Sequence, residues 1–88
     1  MKITNLTSNK GNKIANQFEL RTETALYFQS YNSMIVKIDL STGVTYLDSY
    51  YWDYSKTTGK YRNIFLGEDK KTTEQKIKEG KYILTNLN

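Results

Sequence analysis

The amino-acid sequence predicts a single α+β domain in which a small antiparallel sheet of four to five strands is covered by one main helix and one short helix. Three observations lead to this prediction. Most of residues 14–48 alternate between apolar and polar side chains, which is the period of a half-buried strand. Residues 55–66 instead repeat apolar side chains every three or four positions, as one face of a helix does. The 88 residues are the length of one domain, residues 1–88.

The first thirteen residues are rich in Asn, Ser, Thr and Lys. We expect a short strand at Lys2 to Leu6, followed by a loose segment around Ser8 to Lys13. Residues 1–13 are therefore predicted to form a partly flexible N-terminal arm.

Four strands are predicted between residues 14 and 48. The apolar faces of the first three carry Ile14, Phe18 and Leu20, then Leu26 and Phe28, then Met34, Val36, Ile38 and Leu40. Ile35 is the single exception to this alternation. Gly43 permits a tight connection into the fourth strand, residues 44–48. The apolar face needs a cover, because a sheet with one bare apolar side is not a stable domain.

We expect the main helix, from Ser55 to Leu66, to supply this cover. Ser55 or Thr57 can cap its N-terminus, and Gly67 can end it. One face of the helix carries Thr58, Tyr61, Ile64 and Phe65. This face should bury Phe65 against the sheet residues Phe18, Phe28, Val36 and Ile38.

A short second helix is predicted from the spacing of Thr72 and Gln75, which is that of a capping box, and should end at Gly80. Ile77 is its one apolar residue, so thin packing is expected. Residues 82–87 then read as a closing strand.

Aromatic side chains are concentrated in the stretch YYWDYSKTTGKYRNIFLGE, residues 50–68, which holds six of the twelve aromatic residues. The rings either form the core of a small domain or present a surface to a partner, because rings with a polar tip are favoured at recognition surfaces. We expect Trp52 and Phe65 to point inward. At least two of Tyr50, Tyr51 and Tyr54 should stay accessible beside Lys60 and Arg62.

Cations and hydroxyls are combined at the predicted helix start, Ser55 to Arg62. Such an arrangement suits phosphate oxygens, although the glycine spacing is not that of a Walker loop. The alternative is ordinary helix capping with solvated lysines. The candidate partner-binding residues are Tyr50, Tyr51, Tyr54, Lys56, Lys60 and Arg62.

The composition removes most catalytic chemistry. The chain has no Cys and no His, so disulfides, thiolate zinc sites and imidazole bases are absent. We therefore expect a protein that is not an enzyme and that needs no cofactor or metal. No apolar run approaches the length of a membrane span or of a signal peptide, so we expect a cytoplasmic protein.

The stretches YFQSYNSMIVKI, YWDYSKTTGKYRNIFL and EGKYILTNLN together resemble an uncharacterised family of small phage and bacterial proteins. The resemblance covers residues 26–87 and includes an aromatic-x-Ser-Tyr strand followed by a Tyr-x-Ser-x-Thr-Thr helix start. It implies an origin in a phage or mobile element. Short proteins of such elements often act by binding host machinery, and anti-defence inhibitors such as anti-CRISPR proteins are one group.

Two functions follow as hypotheses. In the first, the protein blocks a host protein or nucleoprotein complex that handles nucleic acid or serves in defence, through a tyrosine-rich basic surface. In the second, it binds DNA or RNA directly through the helix start, Ser55 to Arg62. The net charge of +4 is spread over both halves of the chain, so charge alone does not decide between them.

Overall fold

The computed structural model describes all residues, Met1–Asn88. Its elements are β1 (Lys2–Thr7), β2 (Lys13–Arg21), β3 (Ala25–Ser30), β4 (Ser33–Asp39), β5 (Thr45–Asp48), α1 (Lys56–Leu66), α2 (Lys70–Lys78) and β6 (Tyr82–Thr85). The six strands form one sheet in chain order, β1–β2–β3–β4–β5–β6. The predicted α+β class with two helices is confirmed, whereas the predicted number of four to five strands is too low.

β6 differs from the other strands in its direction. It runs parallel to β5, with Tyr46 opposite Ile83, while every other neighbouring pair is antiparallel. The prediction of a purely antiparallel sheet is therefore wrong at this edge. Two helices stand between β5 and β6, and a connection of that length can return the chain to the end of the sheet where β5 began.

The pairing of the strands places each side chain on one of two faces, because directly opposite residues share a face. Phe28, Val36 and Leu47 lie opposite one another across β3, β4 and β5. All three are fully buried, and residues of both helices, including Tyr61, Phe65, Leu66 and Ile77, pack around them. This face of the sheet holds the core.

The opposite face, which we call the uncovered face, carries one row of paired residues across all six strands: Ile3, Leu20, Tyr27, Lys37, Tyr46 and Ile83. Ile3 and Ile83 are 62% and 44% exposed at its two ends. Phe18 pairs with Gln29 and lies on this face as well. The prediction that α1 covers Phe18 is therefore wrong, because Phe18 and Phe28 point to opposite sides.

A bulge in β4 explains why Ile35 broke the predicted alternation. Phe28 pairs with Val36 but Gln29 pairs with Met34, so one extra residue stands in β4 at this point. Ile35 and Val36 are consequently both buried, at 1% and 0% exposed. Met34 lies opposite Gln29 and is only half-buried, which corrects the prediction that it shares a face with Val36.

Helix α1 begins and ends where its caps predict. The Ser55 side chain accepts a hydrogen bond from the Thr58 N–H, and Gly67 adopts a left-handed conformation with φ 69°. Phe65 is half-buried and stacks on Phe28, with ring centroids 5.6 Å apart. The predicted inward position of Ile64 is wrong, since this side chain is 56% exposed.

Helix α2 begins at Lys70, and its N-cap lies three residues before the predicted one. Asp69 is its N-cap, with a side-chain oxygen 2.8 Å from the Thr72 N–H, so Thr72 is not the cap. Ile77 is its contact with the core, as the sequence predicts. Neither helix is long and apolar enough to cross a membrane.

The N-terminal residues belong to the sheet. β1 pairs with β2 from Lys2 opposite Arg21 to Thr7 opposite Lys13, which confirms the strand predicted at Lys2 to Leu6. The connecting loop is closed by the Ser8 N–H, which donates to the Asn12 carbonyl at 2.8 Å. The predicted mobility of residues 1–13 stays a prediction.

Candidate functional site

The connection between β5 and α1 is a series of turns rather than the extended segment in which side chains would alternate. Asp48 anchors it. Asp48 is 2% exposed, and its Oδ2 accepts the N–H groups of Tyr50 at 3.1 Å and Tyr51 at 2.8 Å. Its Oδ1 accepts the Leu87 N–H at 2.8 Å, which ties the loop to the C-terminal residues. Burial raises the pKa of Asp48, but these backbone donors outweigh it and the net pKa is lowered.

Three tyrosines on this connection, Tyr50, Tyr51 and Tyr54, pack on one another and form what we call the tyrosine cluster. Their ring centroids lie 4.7 Å apart for Tyr50 and Tyr51, 5.3 Å for Tyr51 and Tyr54, and 5.8 Å for Tyr50 and Tyr54. Tyr50 is 70% exposed and Tyr54 is 62% exposed, so the prediction of at least two accessible tyrosines is confirmed. Tyr51 is half-buried and packs against the core, as Trp52 does.

A cleft of about 310 Å³ opens beside the tyrosine cluster, and we call it the tyrosine cleft. Tyr51 and Tyr54 form one of its walls, Tyr31 contributes from the β3–β4 turn, and the buried Ile35 is a further apolar contributor. Tyr31 was not predicted from the sequence. Its backbone is left-handed at φ 56°, and only the fold brings that turn next to the tyrosine cluster.

Arg62 is not a surface cation, which corrects its predicted place beside the accessible tyrosines. It is 1% exposed, and its guanidinium lies 5.1 Å from the Trp52 ring centroid. Nη1 donates to the Trp52 carbonyl at 2.6 Å and to the Asp53 carboxylate at 3.2 Å. Nη2 donates to Asn63 Oδ1 at 2.9 Å, and Nε has no partner. On the helix, Arg62 occupies a position facing inward between Thr58 and Phe65.

A second concavity lies on the other side of Ser55, and we call it the basic groove. It has a volume of about 570 Å³ and no hydrophobic residue in its lining. The charged residues that line it are Asp53, Lys56, Lys60, Arg62 and Lys70. Lys70 was not predicted from the sequence, because it is the first residue of α2 and only the fold brings it to Asp53 in the groove.

Asp53 is the one carboxylate of the basic groove, and it is already engaged. Lys70 Nζ lies 2.6 Å from Asp53 Oδ2, and Arg62 Nη1 lies 3.2 Å from Asp53 Oδ1. Burial raises the pKa of Asp53, but its bonds to Lys70 and Arg62 outweigh that effect and lower it. The same contact with Asp53 raises the pKa of Lys70. Asp53 and Lys70 are therefore both charged at neutral pH.

Lys56 and Lys60 are the free cations of the groove. Both are exposed, and neither is among the four ion pairs of the structure. Lys60 Nζ lies 5.3 Å from the ring centroid of Tyr61, its neighbour in sequence. Of the six predicted partner-binding residues, the structure thus places three in the tyrosine cluster and three in the basic groove. Ser55 lines both concavities.

No group of three His, Cys, Asp or Glu side chains lies close enough together to hold a metal ion.

The other polar cluster joins α2 to β6. Glu68 accepts from Lys76 Nζ at 2.7 Å and from the Tyr82 hydroxyl at 2.8 Å. Burial and the neighbouring Glu68 raise the pKa of Tyr82, so the phenol stays protonated. This network connects α2 to the edge of the sheet and opens onto neither the tyrosine cleft nor the basic groove.

Comparison with known proteins assigns the chain to a family without assigning an activity. No curated protein and no solved structure matches it. One family model, described as a family of unknown function, DUF8033, matches residues 1–81. That range includes β1 and the tyrosine cluster and stops just before β6, whereas the resemblance noted from the sequence spans residues 26–87. The match covers well over half of the chain, and this protein therefore belongs to the DUF8033 family.

Proposed function

We propose that this protein is a non-enzymatic binding protein that docks on another protein through the tyrosine cluster and so inhibits it. The observation that carries the proposal is the exposure of Tyr50 and Tyr54, at 70% and 62%, on a loop whose backbone is fixed by Asp48. Tyrosines contribute large contact area and lose little conformational entropy on binding. A loop that is already ordered also loses less entropy on association than a flexible one.

The tyrosine cleft gives the docking surface its shape. It lies between the tyrosine cluster and the β3–β4 turn, and its lining mixes aromatic rings with Ser and Thr hydroxyls. A partner can insert one apolar or aromatic side chain there, in contact with Tyr31 and Tyr54, while the exposed rings cover the surrounding surface. Binding energy at protein interfaces is concentrated in such aromatic-lined pockets.

The class of partner rests on the resemblance to small phage and bacterial proteins. On that basis we propose a phage or mobile-element protein that acts in the cytoplasm of a host cell. Its target would be a host protein or nucleoprotein complex of nucleic-acid handling or defence, as with anti-CRISPR inhibitors. The absence of Cys and His leaves inhibition by contact as the simplest mode of action.

The test is affinity capture from a bacterial host lysate with the wild-type protein and with the double variant Tyr50→Ala, Tyr54→Ala. Each anchor is worth about 2 kcal/mol, so the affinity for the captured protein should fall at least about 30-fold. The control is Ile3→Ala with Ile83→Ala, which removes exposed apolar surface from the uncovered face and should capture normally. Equal capture by the tyrosine variant and the control would show that the tyrosine cluster is not the docking surface.

Nuclease treatment of the same lysate separates the two hypotheses about the partner. A direct protein contact survives nuclease. If capture is lost with nuclease, the alternative of direct DNA or RNA binding through Ser55 to Arg62 is favoured.

A further inference from the structure

The basic groove has an excess of positive charge that the fold does not neutralise. Four cations line it, and the single carboxylate, Asp53, is shared between Arg62 and Lys70. Lys56 and Lys60 are left without a carboxylate partner. The charge of the groove is thus +3, concentrated between the first turns of α1 and α2. An anionic ligand would balance it.

The floor of the groove contains a buried guanidinium. Arg62 is 1% exposed, and its Nη atoms are fixed by Trp52, Asp53 and Asn63. A buried ion pair is weak evidence for stability, because a well-packed apolar residue often serves as well or better. Fold stability alone therefore does not explain the burial of Arg62 with its Nε unpartnered. The buried guanidinium does add a fixed positive charge beneath Lys56 and Lys60.

Backbone donors at the rim of the groove add to this charge. Ser55 caps the Thr58 N–H, which leaves the N–H groups of Lys56 and Thr57 without an acceptor inside the helix. The first turn of α1 contains no acidic residue, so the positive end of the helix dipole is not compensated there. Of these two residues Lys56 lines the groove, so its N–H is available to the same anion as the lysine side chains.

Gly59 keeps the groove open. A Cβ built on this residue would lie 3.7 Å from both Nη atoms of Arg62 and 3.7 Å from Asp53 Oδ1, which is ordinary contact. Alanine would therefore fit, and it is the better helix former. A glycine in the interior of α1 costs stability and leaves the guanidinium floor uncovered, as a ligand that approaches the helix backbone closely would require.

From these observations we propose that the basic groove binds the phosphodiester backbone of a single-stranded nucleic acid. Lys56, Lys60 and Lys70 contact phosphate oxygens above the floor formed by Arg62. The exposed ring of Tyr54 immediately precedes Ser55, at the junction with the tyrosine cleft, and gives a platform on which an unpaired base can stack. A basic groove next to exposed rings is the usual arrangement for single strands, whereas the bases of a duplex are already stacked. This site is distinct from the protein-docking role proposed for the tyrosine cluster, because its defining residues are the lysines.

The probe is a fluorescein-labelled oligothymidylate of about 12 nucleotides, the size of one binding site, measured by fluorescence anisotropy. The variant Lys56→Gln with Lys60→Gln should weaken binding at least about tenfold at about 50 mM salt. It should also reduce the slope of log affinity against log salt by about 1.4, since each phosphate contact on a single strand contributes about 0.7. The matched control, Lys10→Gln with Lys78→Gln, has the same net charge but leaves the groove intact, and should change the affinity less than about twofold.

Gly59→Ala gives a second measurement that does not depend on removing charge. It should raise the melting temperature and yet weaken oligothymidylate binding, because the methyl group covers part of the floor. An affinity that is unchanged while the melting temperature rises would contradict the role given to Gly59 in the proposal.

Three results would overturn the proposal as a whole. The first is equal affinity of the groove variant and its charge-matched control, which would reduce the binding to non-specific attraction. The second is tighter binding of a labelled phosphoserine peptide than of the oligothymidylate, which would make the ligand a phosphoprotein. The third is equal binding of a duplex of the same length, which would remove the role of base stacking on Tyr54. None of these results bears on nuclease-resistant capture of a protein through Tyr50 and Tyr54, so the two proposals fail independently.

Discussion

Asp48 is buried, yet its hydrogen bonds fix the backbone of the exposed tyrosine cluster. Replacing it by Asn removes the charge and turns an amide NH₂ group either toward the N–H groups of Tyr50 and Tyr51 or toward the Leu87 N–H. Hydrogen bonds to a charged group contribute about 1.5 to 3 kcal/mol, so Asp48→Asn should lower the free energy of unfolding by about 2 kcal/mol or more. Urea unfolding measures this. Asp39→Asn is the control, since Asp39 accepts hydrogen bonds from two N–H groups in an exposed turn. An equal loss of unfolding free energy in both variants would contradict the special role of Asp48.

The pH dependence of stability follows from three carboxyl groups, Asp48, Asp53 and Glu68. Burial raises the pKa of each, but hydrogen bonds and neighbouring cations outweigh it and lower all three below their ordinary values of 3.8 and 4.5. A carboxyl group with a lowered pKa stabilises the folded state above its ordinary value, and this stabilisation is lost as the pH falls through the folded value. With no His in the chain, the free energy of unfolding should be nearly constant from about pH 6 to 8 and fall below about pH 4. A midpoint in urea that stays constant from pH 7 to about pH 2.5 would refute this.

At the scale of single elements, α1 shows what helical spacing could and could not predict. Its caps, Ser55 and Gly67, were predictable because they are local: one hydroxyl reaches its own helix, and one glycine adopts a left-handed backbone. The inward position of Arg62 was not predictable in this way. Spacing selects the face of a helix, but whether a cation is buried on that face depends on acceptors at Trp52 and Asp53, which lie outside the helix.

Gly59 inside α1 and Gly67 at its C-terminal cap should respond in opposite ways to the same substitution. Gly59→Ala removes a helix-interior glycine where the methyl group fits, and should raise the free energy of unfolding by about 0.5 to 1 kcal/mol. A Cβ at residue 67 would meet no atom within 4 Å, but Gly67→Ala forces alanine into the left-handed region at φ 69°. It should lower the free energy by about 1 kcal/mol. Thermal melting of both variants checks the pair, and a loss of stability in Gly59→Ala would show that its surroundings do not admit a methyl group.

Phe65 holds α1 on the sheet by its stacking on Phe28. Replacing a fully buried phenylalanine by alanine lowers the free energy of unfolding by about 3 to 5 kcal/mol. Phe65 is only half-buried, so we expect Phe65→Ala to lower it by about 2 to 3 kcal/mol. Ile64→Ala is the neighbouring control, and its 56% exposed side chain should change the free energy of unfolding by less than about 0.5 kcal/mol. Chemical denaturation that ranked the two variants in the reverse order would contradict the orientation of α1.

Over the whole molecule, the sequence predicted local structure well and long-range arrangement poorly. The strands of residues 13–48 follow from alternation, which breaks at two places. In β4 the extra residue Ile35 is visible only against its partner β3, and in β2 the register with β1 shifts around Asn16, whose φ is 63°. The parallel direction of β6 and the position of Lys70 in the basic groove depend on how α1 and α2 return the chain to the sheet. Local chemistry predicted the six candidate residues, whereas the contributions of Tyr31 and Lys70 and the burial of Arg62 depend on the fold.

Lys37 is the one charged residue in the paired row of the uncovered face, and it lies at the centre of that row. Its Nζ is 6.0 Å from the ring centroid of Tyr27 and 5.9 Å from that of Tyr46, and it has no ion-pair partner. Two copies that met through this face would remove both Lys37 side chains from water, which is costly. Lys37 should therefore keep the apolar ends of the row, Ile3 and Ile83, from driving self-association.

The substitution Lys37→Met keeps a long flexible side chain on the uncovered face and removes the charge. We expect the variant to self-associate with increasing concentration in sedimentation velocity, while its urea unfolding at low concentration stays within about 0.5 kcal/mol of the wild type. Lys78→Met, on the exposed side of α2, is the matched control and should sediment as the wild type does. Identical sedimentation of the Lys37 and Lys78 variants at every concentration would mean that the shape of the uncovered face, rather than its central charge, limits contact between copies.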